Sequence, residues 1–205
     1  MMKLLKTTAL IFGGTLLLVA CGSEGVTEKK EQAKTASDQT VQLEKDYVSI
    51  GMTLAMTTKG ILGKNLMGTI TKEGTDAALA FCSVNADPIL DSMSVELNAS
   101  IKRVTDKPRN NNNQANEAEL AYINESKLVL ADGGKIKPLM QEVGDRMLGY
   151  YPITTNVMCM QCHGEPETQI KTSTLSEIKT LYPNDLAQGY TENELRGIWV
   201  VEFDK

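Results

Sequence analysis

Five consecutive residues carry most of the recognisable chemistry of this chain. Residues 159–163 read Cys-Met-Gln-Cys-His, the Cys-x-x-Cys-His sequence to which c-type haem is attached. Two thiols at this spacing can add to the two vinyl groups of a haem, and the histidine that follows becomes the proximal ligand of the iron. His163 is the only histidine in the sequence, so no other imidazole competes for that role. The motif predicts one covalent haem c, held by Cys159, Cys162 and His163.

Two other chemistries fit these residue types less well. A Cys-x-x-Cys pair can be a redox disulfide, but such a pair usually opens a helix in a βαβ unit, and no such pattern surrounds this one. A Cys3His zinc site would need Cys82 in addition to the motif. Zinc sites usually draw on two separated ligand pairs, and this chain offers only one pair. Haem is therefore the favoured interpretation.

The haem assignment leaves Cys82 without a partner, because Cys21 belongs to the export signal described below. Free cysteine is among the most buried residue types, so one interpretation is a small apolar core residue. The other makes its sulfur the second axial ligand of the iron, opposite the histidine. Water, an empty site, Met140 and Met147 are the remaining alternatives for that position. We predict His163 and Cys82 as the metal ligands.

The first 20 residues are typical of a bacterial lipoprotein signal peptide. Two lysines precede an apolar stretch over residues 7–18, which is too short to span a membrane. The sequence Leu-Val-Ala-Cys at 18–21 resembles a lipobox, so Cys21 is the predicted lipidation site. Gly22, where aspartate would retain a lipoprotein at the inner membrane, slightly favours the outer membrane. We expect an extracytoplasmic protein, lipid-anchored on the periplasmic side.

Charge excludes one class of partner. Removing the signal peptide takes away two of the 21 basic residues and none of the 26 acidic ones, which leaves 19 against 26 and a net charge of −7. Such a surface does not predict nucleic-acid binding. The remaining 185 residues are enough for one core-forming domain and a tether.

The elements that must position the motif follow from composition and periodicity. The chain divides into the signal peptide over 1–20, a lipidated polar tether over 21–39 and one domain over 40–205. Helices are predicted at about 41–70, 74–83, 88–96 and 117–124, and the second of them carries Cys82. Strands are predicted at 99–105, 128–130, 135–139, 146–153 and 197–203, with a hairpin turn at 132–134. Helices first and an antiparallel sheet afterwards indicate an α+β fold.

Four motifs occur in order, and together they resemble a known family. A helix bearing a cysteine precedes Arg-Val-Thr-Asp-Lys-Pro-Arg-Asn at 103–110, then Cys-Met-Gln-Cys-His-Gly at 159–164, then Tyr-Pro-Asn-Asp-Leu-Ala-Gln-Gly-Tyr at 182–190 and the pair Arg196-Gly197. This order is similar to the monohaem c-type domain family with a PAS-like fold, long labelled a domain of unknown function. That family includes exported single-domain proteins and the sensory portions of histidine kinases and chemoreceptors.

The resemblance implies a sheet with flanking helices around one haem, and it places Cys82 where the family has a cysteine proposed as distal ligand. Independently, Arg103 and Arg109 are candidates to pair with the haem propionates, since guanidinium groups bind carboxylates in a bidentate way. Surface salt bridges or loop hydrogen bonds are the alternative for both. The arginine of the last motif is a weaker candidate, and Asp185 and Tyr190 are expected to be structural.

Ligand identity decides the predicted function. With both axial positions filled, the iron has no open place for oxygen or peroxide chemistry, so we do not expect an enzyme. We predict an exported, lipid-anchored monohaem cytochrome that serves extracytoplasmic electron transfer with an unidentified redox protein. The alternative is a redox or small-gas sensor, in which a weak iron–thiolate bond breaks on reduction and a partner protein receives the signal.

Overall fold

The structure, a computed structural model, describes residues 24–205, with side chains described from Asp46 onward. The predicted signal peptide, Cys21 and Gly22 lie outside the described residues. The lipidated tether over 21–39 stays a prediction, although the first helix begins at Glu24. None of the described helices is long and apolar enough to cross a membrane. The fold is described for the compact unit Val41–Lys205.

Helices and strands alternate in groups along the chain. The helices are α1 (Glu24–Glu73), α2 (Thr75–Glu96), α3 (Glu117–Ala131), α4 (Met160–His163) and α5 (Thr172–Leu181). The strands are β1 (Ser100–Val104), β2 (Leu139–Val143), β3 (Arg146–Thr154) and β4 (Leu195–Asp204). Short 3-10 helices cover Asn111–Asn113 and Val157–Cys159.

The four strands form one antiparallel sheet in the order β1-β4-β3-β2. β4 lies inside the sheet, and its residues from Gly197 to Val201 are all buried. A strand covered on both faces reads as a continuous apolar run, as Ile-Trp-Val-Val does here. The predicted α+β fold with an antiparallel sheet and flanking helices is confirmed.

One face of the sheet is covered by α1 and α2. Tyr151 of β3 is fully buried in this layer, and its hydroxyl donates to the carbonyl of Val48 in α1 at 3.1 Å. A Cβ at Gly51 would lie 2.0 Å from that hydroxyl oxygen, so α1 can approach the sheet only with glycine there. Trp199 of β4 packs in the same cluster.

The opposite face of the sheet is covered by α3. Asn116 caps this helix by accepting from the Glu119 backbone N–H at 2.9 Å, while the Glu119 carboxylate accepts from the Asn116 N–H at 2.8 Å. Ile123 and Ile198 are fully buried between helix and sheet. The two layers give the sheet a core on each face.

Four sequence predictions of local structure are wrong. The strand expected at 135–139 shares only Leu139 with β2, which covers Leu139–Val143. The apolar run 128–130 ends α3 instead of forming a strand, because a short apolar run fits a helix as well as a strand. The hairpin turn therefore lies between β2 and β3, where Gly144 has φ +65°, and not at 132–134. α2 continues through Pro88, which was expected to start a separate helix. α5 was not predicted.

Candidate haem-binding site

A cavity of about 340 Å³ lies against the haem motif, within the size range of cofactor sites. Its walls come from α1, α2, the end of β1, the loop after β1, the haem motif and the start of β4. All six residues predicted to bind haem line it: Cys82, Arg103, Arg109, Cys159, Cys162 and His163. Residues separated by up to 81 positions in sequence thus meet at one site.

The haem motif is held as a 3-10 turn that continues into α4. The Asn156 side chain accepts from the Met158 N–H at 2.9 Å and so caps the turn. Gly164 follows the histidine where the chain passes very close to its surroundings. A Cβ there would lie 2.4 Å from the Gln169 side chain and 2.7 Å from the Met160 carbonyl oxygen. The glycine of the motif is therefore required by packing.

His163 is fixed in one tautomer. Its Nδ1 lies 2.7 Å from the carbonyl oxygen of Ala187, which can only accept, so Nδ1 carries the hydrogen. Withdrawal of the ring from water lowers its pKa well below the ordinary range, and the charges of Arg109 and Arg196 lower it further. The ring is therefore neutral, with its Nε2 lone pair available to a metal.

The segment after α5 is bound to the haem motif through the backbone. The Tyr190 N–H donates to the His163 carbonyl and the Gly189 N–H to the Gly164 carbonyl, each at 2.9 Å. The Tyr190 ring meets the His163 ring edge-on at 6.3 Å. This segment therefore carries the Ala187 carbonyl to its place beside the imidazole.

Arg109 connects the loop after β1 to both of these segments. Its Nε and Nη2 donate to the two carboxylate oxygens of Asp185 at 3.1 Å each, and the side chains are 10% and 3% exposed. Nη2 also lies 2.6 Å from the Cys162 carbonyl oxygen and 3.2 Å from the Ala187 carbonyl oxygen. Of the two alternatives for Arg109, these contacts match the one with an ion pair and loop hydrogen bonds.

Asp185 is held as a carboxylate. It also accepts from the Ala187 N–H at 2.9 Å and from the Gln188 side chain at 2.7 Å. Burial alone would raise the pKa of Asp185, but the bonds and the charge of Arg109 together with these donors keep it below the ordinary value. Every oxygen of this carboxylate is therefore satisfied.

Cys82 reaches the cavity from α2. Burial raises the pKa of the Cys82 thiol, and the charges of Arg103 and Arg109 offset part of that rise. Burial also raises the pKa of the Cys162 thiol, to about 11. Both sulfurs are therefore thiols in the protein alone.

Arg103 and Arg196 are the cavity arginines whose buried Nε has no hydrogen-bond partner among the described residues. Among the described residues, no hydrogen bond uses the Arg103 guanidinium, which lies over the Trp199 ring at 5.7 Å, and its Nε is buried. Arg196 donates through Nη1 to the Thr105 hydroxyl and the Lys107 carbonyl, each at 3.2 Å, but its buried Nε has no partner in this part of the chain. Burial lowers the pKa of both guanidinium groups.

These residues fit the predicted haem. A buried donor without a partner is costly, and a bound carboxylate would satisfy it. Haem carries two propionates, and the cavity offers two arginines with unpartnered Nε groups. The remaining walls are largely apolar, including Leu62, Leu66 and Leu79.

The competing assignments receive no support from the described residues. Met140 and Met147 pack with the core on the α1–α2 face, and neither lines the cavity. Among residues 46–205, whose side chains the structure describes, no three His, Cys, Asp or Glu residues group closely enough to hold a metal ion.

Sequence reasoning missed several cavity residues. Lys59, Leu62 and Leu66 come from α1, and Trp199 comes from β4. Their periodicity marks them only as parts of buried faces, since a cavity between two helices and a sheet edge leaves no spacing of its own. Tyr182 and Asp185 did lie in a quoted motif, but their role depends on contacts with Arg109, 76 positions earlier in the case of Asp185.

Comparison with known proteins agrees with this architecture. A family model described as Tll0287-like matches residues 23–203. Among solved structures, the fold is similar to that of the cyanobacterial haem protein Tll0287, with a TM-score of 0.53 and 19% sequence identity over 80% of this chain and 96% of that chain. No curated protein matches the chain. At this identity the structural likeness concerns the fold alone.

Proposed function

The chain belongs to the Tll0287-like family, and from this premise we propose that it is an exported, lipid-anchored monohaem c-type cytochrome that serves extracytoplasmic electron transfer. One observation carries the proposal: the only imidazole is neutral, with its Nδ1–H bound to Ala187, beside the two motif cysteines in a single cavity. A neutral imidazole whose other ring nitrogen donates to a carbonyl oxygen is the form that ligates metals. The haem protein of similar fold supports the same conclusion.

Six cavity residues have a proposed part in holding the haem. Cys159 and Cys162 would form the two thioethers, and His163 and Cys82 would be the axial ligands. Arg103 is the first choice for a propionate, as predicted, and Arg196 is the second because its Nε is also unpartnered. When bound, the group supplies a one-electron ferric/ferrous couple.

The state of Cys82 bears on what the protein can do. Because burial favours the thiol, ligation of a metal by this sulfur requires loss of a proton, and the adjacent positive charge of Arg103 stabilises the thiolate that results. Two protein ligands would leave no position for a substrate, which favours a carrier over an enzyme. The same raised pKa favours release of the thiol, and this supports the alternative of a ligand-switching redox or gas sensor.

Export and anchoring are proposed from the sequence alone. The lipobox-like residues end at Cys21, and cytochrome c assembly outside the cytoplasm agrees with an export signal. Metabolic labelling with a radioactive fatty acid tests the anchor. We expect incorporation into the parent and none into Cys21→Ser, while equal labelling of both would contradict a lipid on this residue.

The haem is tested by expression in a host that assembles c-type cytochromes. We expect a coloured protein whose pigment resists extraction by acidified organic solvent. The double variant Cys159→Ala/Cys162→Ala should lose all of its solvent-resistant haem, whereas the control Cys82→Ala should retain it. A colourless parent, or pigment that the solvent removes, would contradict the proposal.

The distal ligand and the choice between carrier and sensor need a second experiment. We expect ferric parent protein to show thiolate absorption features that disappear in Cys82→Ala, and an unchanged spectrum would remove Cys82 from the iron. Carbon monoxide then separates the two functions. A reduced protein that ignores it fits the carrier, while binding to the reduced parent fits the sensor.

A further inference from the structure

We infer that Arg109 and Asp185 form a positioning pair that sets the electron-donating strength of His163 through the Ala187 carbonyl. The inference rests on the proposed function in so far as the consequence appears at a haem iron. Neither side chain needs to touch the haem for this role. For Arg109 we propose this positioning role in place of the propionate contact that the sequence predicts.

The Ala187 carbonyl oxygen is shared between two donors. His163 Nδ1 lies 2.7 Å from it and Arg109 Nη2 lies 3.2 Å from it. Asp185 holds the same residue from the other side by accepting its N–H at 2.9 Å. The position of the carbonyl and its remaining acceptor strength therefore both depend on this ion pair.

Arg109 also grips the haem motif itself. Its Nη2 lies 2.6 Å from the carbonyl oxygen of Cys162, the residue before the histidine. One nitrogen thus bridges Cys162, which is predicted to carry a thioether, and Ala187, which orients the imidazole. Three acceptors surround the two hydrogens of this nitrogen, so they must share them.

The direction of the effect follows from competition at one oxygen. A cationic donor at the Ala187 carbonyl withdraws electron density and weakens it as an acceptor for the imidazole N–H. Without Arg109, the carbonyl would accept more strongly from His163, and the ring would gain imidazolate character. A more basic ligand favours ferric iron, so the reduction potential should fall.

The test removes both members of the pair, so that the net charge of the site does not change. The variant Arg109→Met/Asp185→Asn is compared with the parent by potentiometry and by NMR after labelling with ¹⁵N-histidine. Because the chain has a single histidine, the spectrum reports on His163 alone. We expect a lower reduction potential and a downfield shift of the Nδ1–H resonance.

A matched control is available at the other end of β3. Arg146 and Asp204 form an exposed ion pair at 3.0 Å, and Arg146→Met/Asp204→Asn should leave the potential and the resonance at the parent values. Should the first double variant fail to fold, Arg109→Lys keeps the charge but offers one nitrogen in place of the fork. It should move both readouts in the same direction by a smaller amount.

Parent-like potential and resonance in both Arg109 variants would overturn the inference. The resonance can also be recorded in protein prepared without haem, where the Nδ1–H contact is formed by the chain alone. A parent that takes up no haem would therefore defeat the proposed function while this second readout still decides whether Arg109 acts on the Ala187 carbonyl.

Discussion

Two clusters of side chains on the same cavity differ in how completely they are paired. The anchored cluster consists of Arg109, Asp185, Ala187 and His163. Its carboxylate oxygens, the Ala187 N–H and the imidazole Nδ1 all have hydrogen-bond partners. The open cluster, made of Cys82, Arg103 and Arg196, has two buried guanidinium nitrogens without a partner among the described residues.

The difference separates what the chain needs in order to fold from what it holds ready for a ligand. A satisfied buried network contributes to the stability of the protein alone, whereas an unpaired buried charge lowers it until something binds. The anchored cluster therefore belongs to the scaffold, and the open cluster marks the surface that a bound carboxylate or metal would complete.

The largest expected effect tests this difference between the two clusters directly. Arg109→Met should lower the free energy of unfolding of the haem-free protein by about 3–5 kcal/mol, because it leaves the carboxylate of Asp185 buried without its cation. Arg103→Met should be neutral or stabilising in the same protein, since it removes a buried charge that no hydrogen bond or ion pair among the described residues holds. Urea unfolding followed by circular dichroism measures both.

The same two variants are then compared in haem-loaded protein. There Arg103→Met should become destabilising relative to the parent, while the loss in Arg109→Met should stay of similar size. Equal losses for the two haem-free variants would show that the clusters do not differ in the way their contacts indicate.

The sequence predicted which reactive and charged residues line the cavity better than it predicted their contacts with one another. Six of the residues on the cavity were identifiable because thiols, imidazole and guanidinium groups have specific uses, and all six line it. Which arginine is paired was not identifiable, since Arg103 and Arg109 lie in one motif and differ only in that Asp185 meets the second. The strand expected at 128–130 failed for the related reason that local patterns do not contain tertiary packing.

A pH titration gives the next largest effect. The pKa of Asp185 in the folded protein lies below its ordinary value of 3.8, in spite of burial and because of Arg109. The stability from this group is therefore fully present above the unfolded pKa and is lost as the pH falls below it, through the folded pKa. We expect unfolding free energies to decline over that acidic range in the parent.

Two variants test whether the pH dependence of stability comes from Asp185. Asp185→Asn cannot titrate at this position, so its stability should depend less on pH over the acidic range. Arg103→Met should keep the dependence of the parent, because the open cluster contributes no carboxylate to it. A dependence that survives unchanged in Asp185→Asn would assign it to other acidic groups.

The smallest effect concerns the link between the two clusters. The Thr75 hydroxyl, in the first turn of α2, donates to the Gln161 side chain of the haem motif at 3.1 Å. α2 carries Cys82 and the motif carries His163, so this bond joins the two predicted axial ligands through the protein. Thr75→Ala should cost about 1 kcal/mol of unfolding free energy, and Thr75→Ser should restore it.

Thr53→Ala is the matched control, because that hydroxyl bonds only within α1 and is exposed, and it should change stability by less than about 0.5 kcal/mol. Equal effects at Thr75 and Thr53 would mean that the hydrogen bond between α2 and the motif contributes nothing to the stability of the protein.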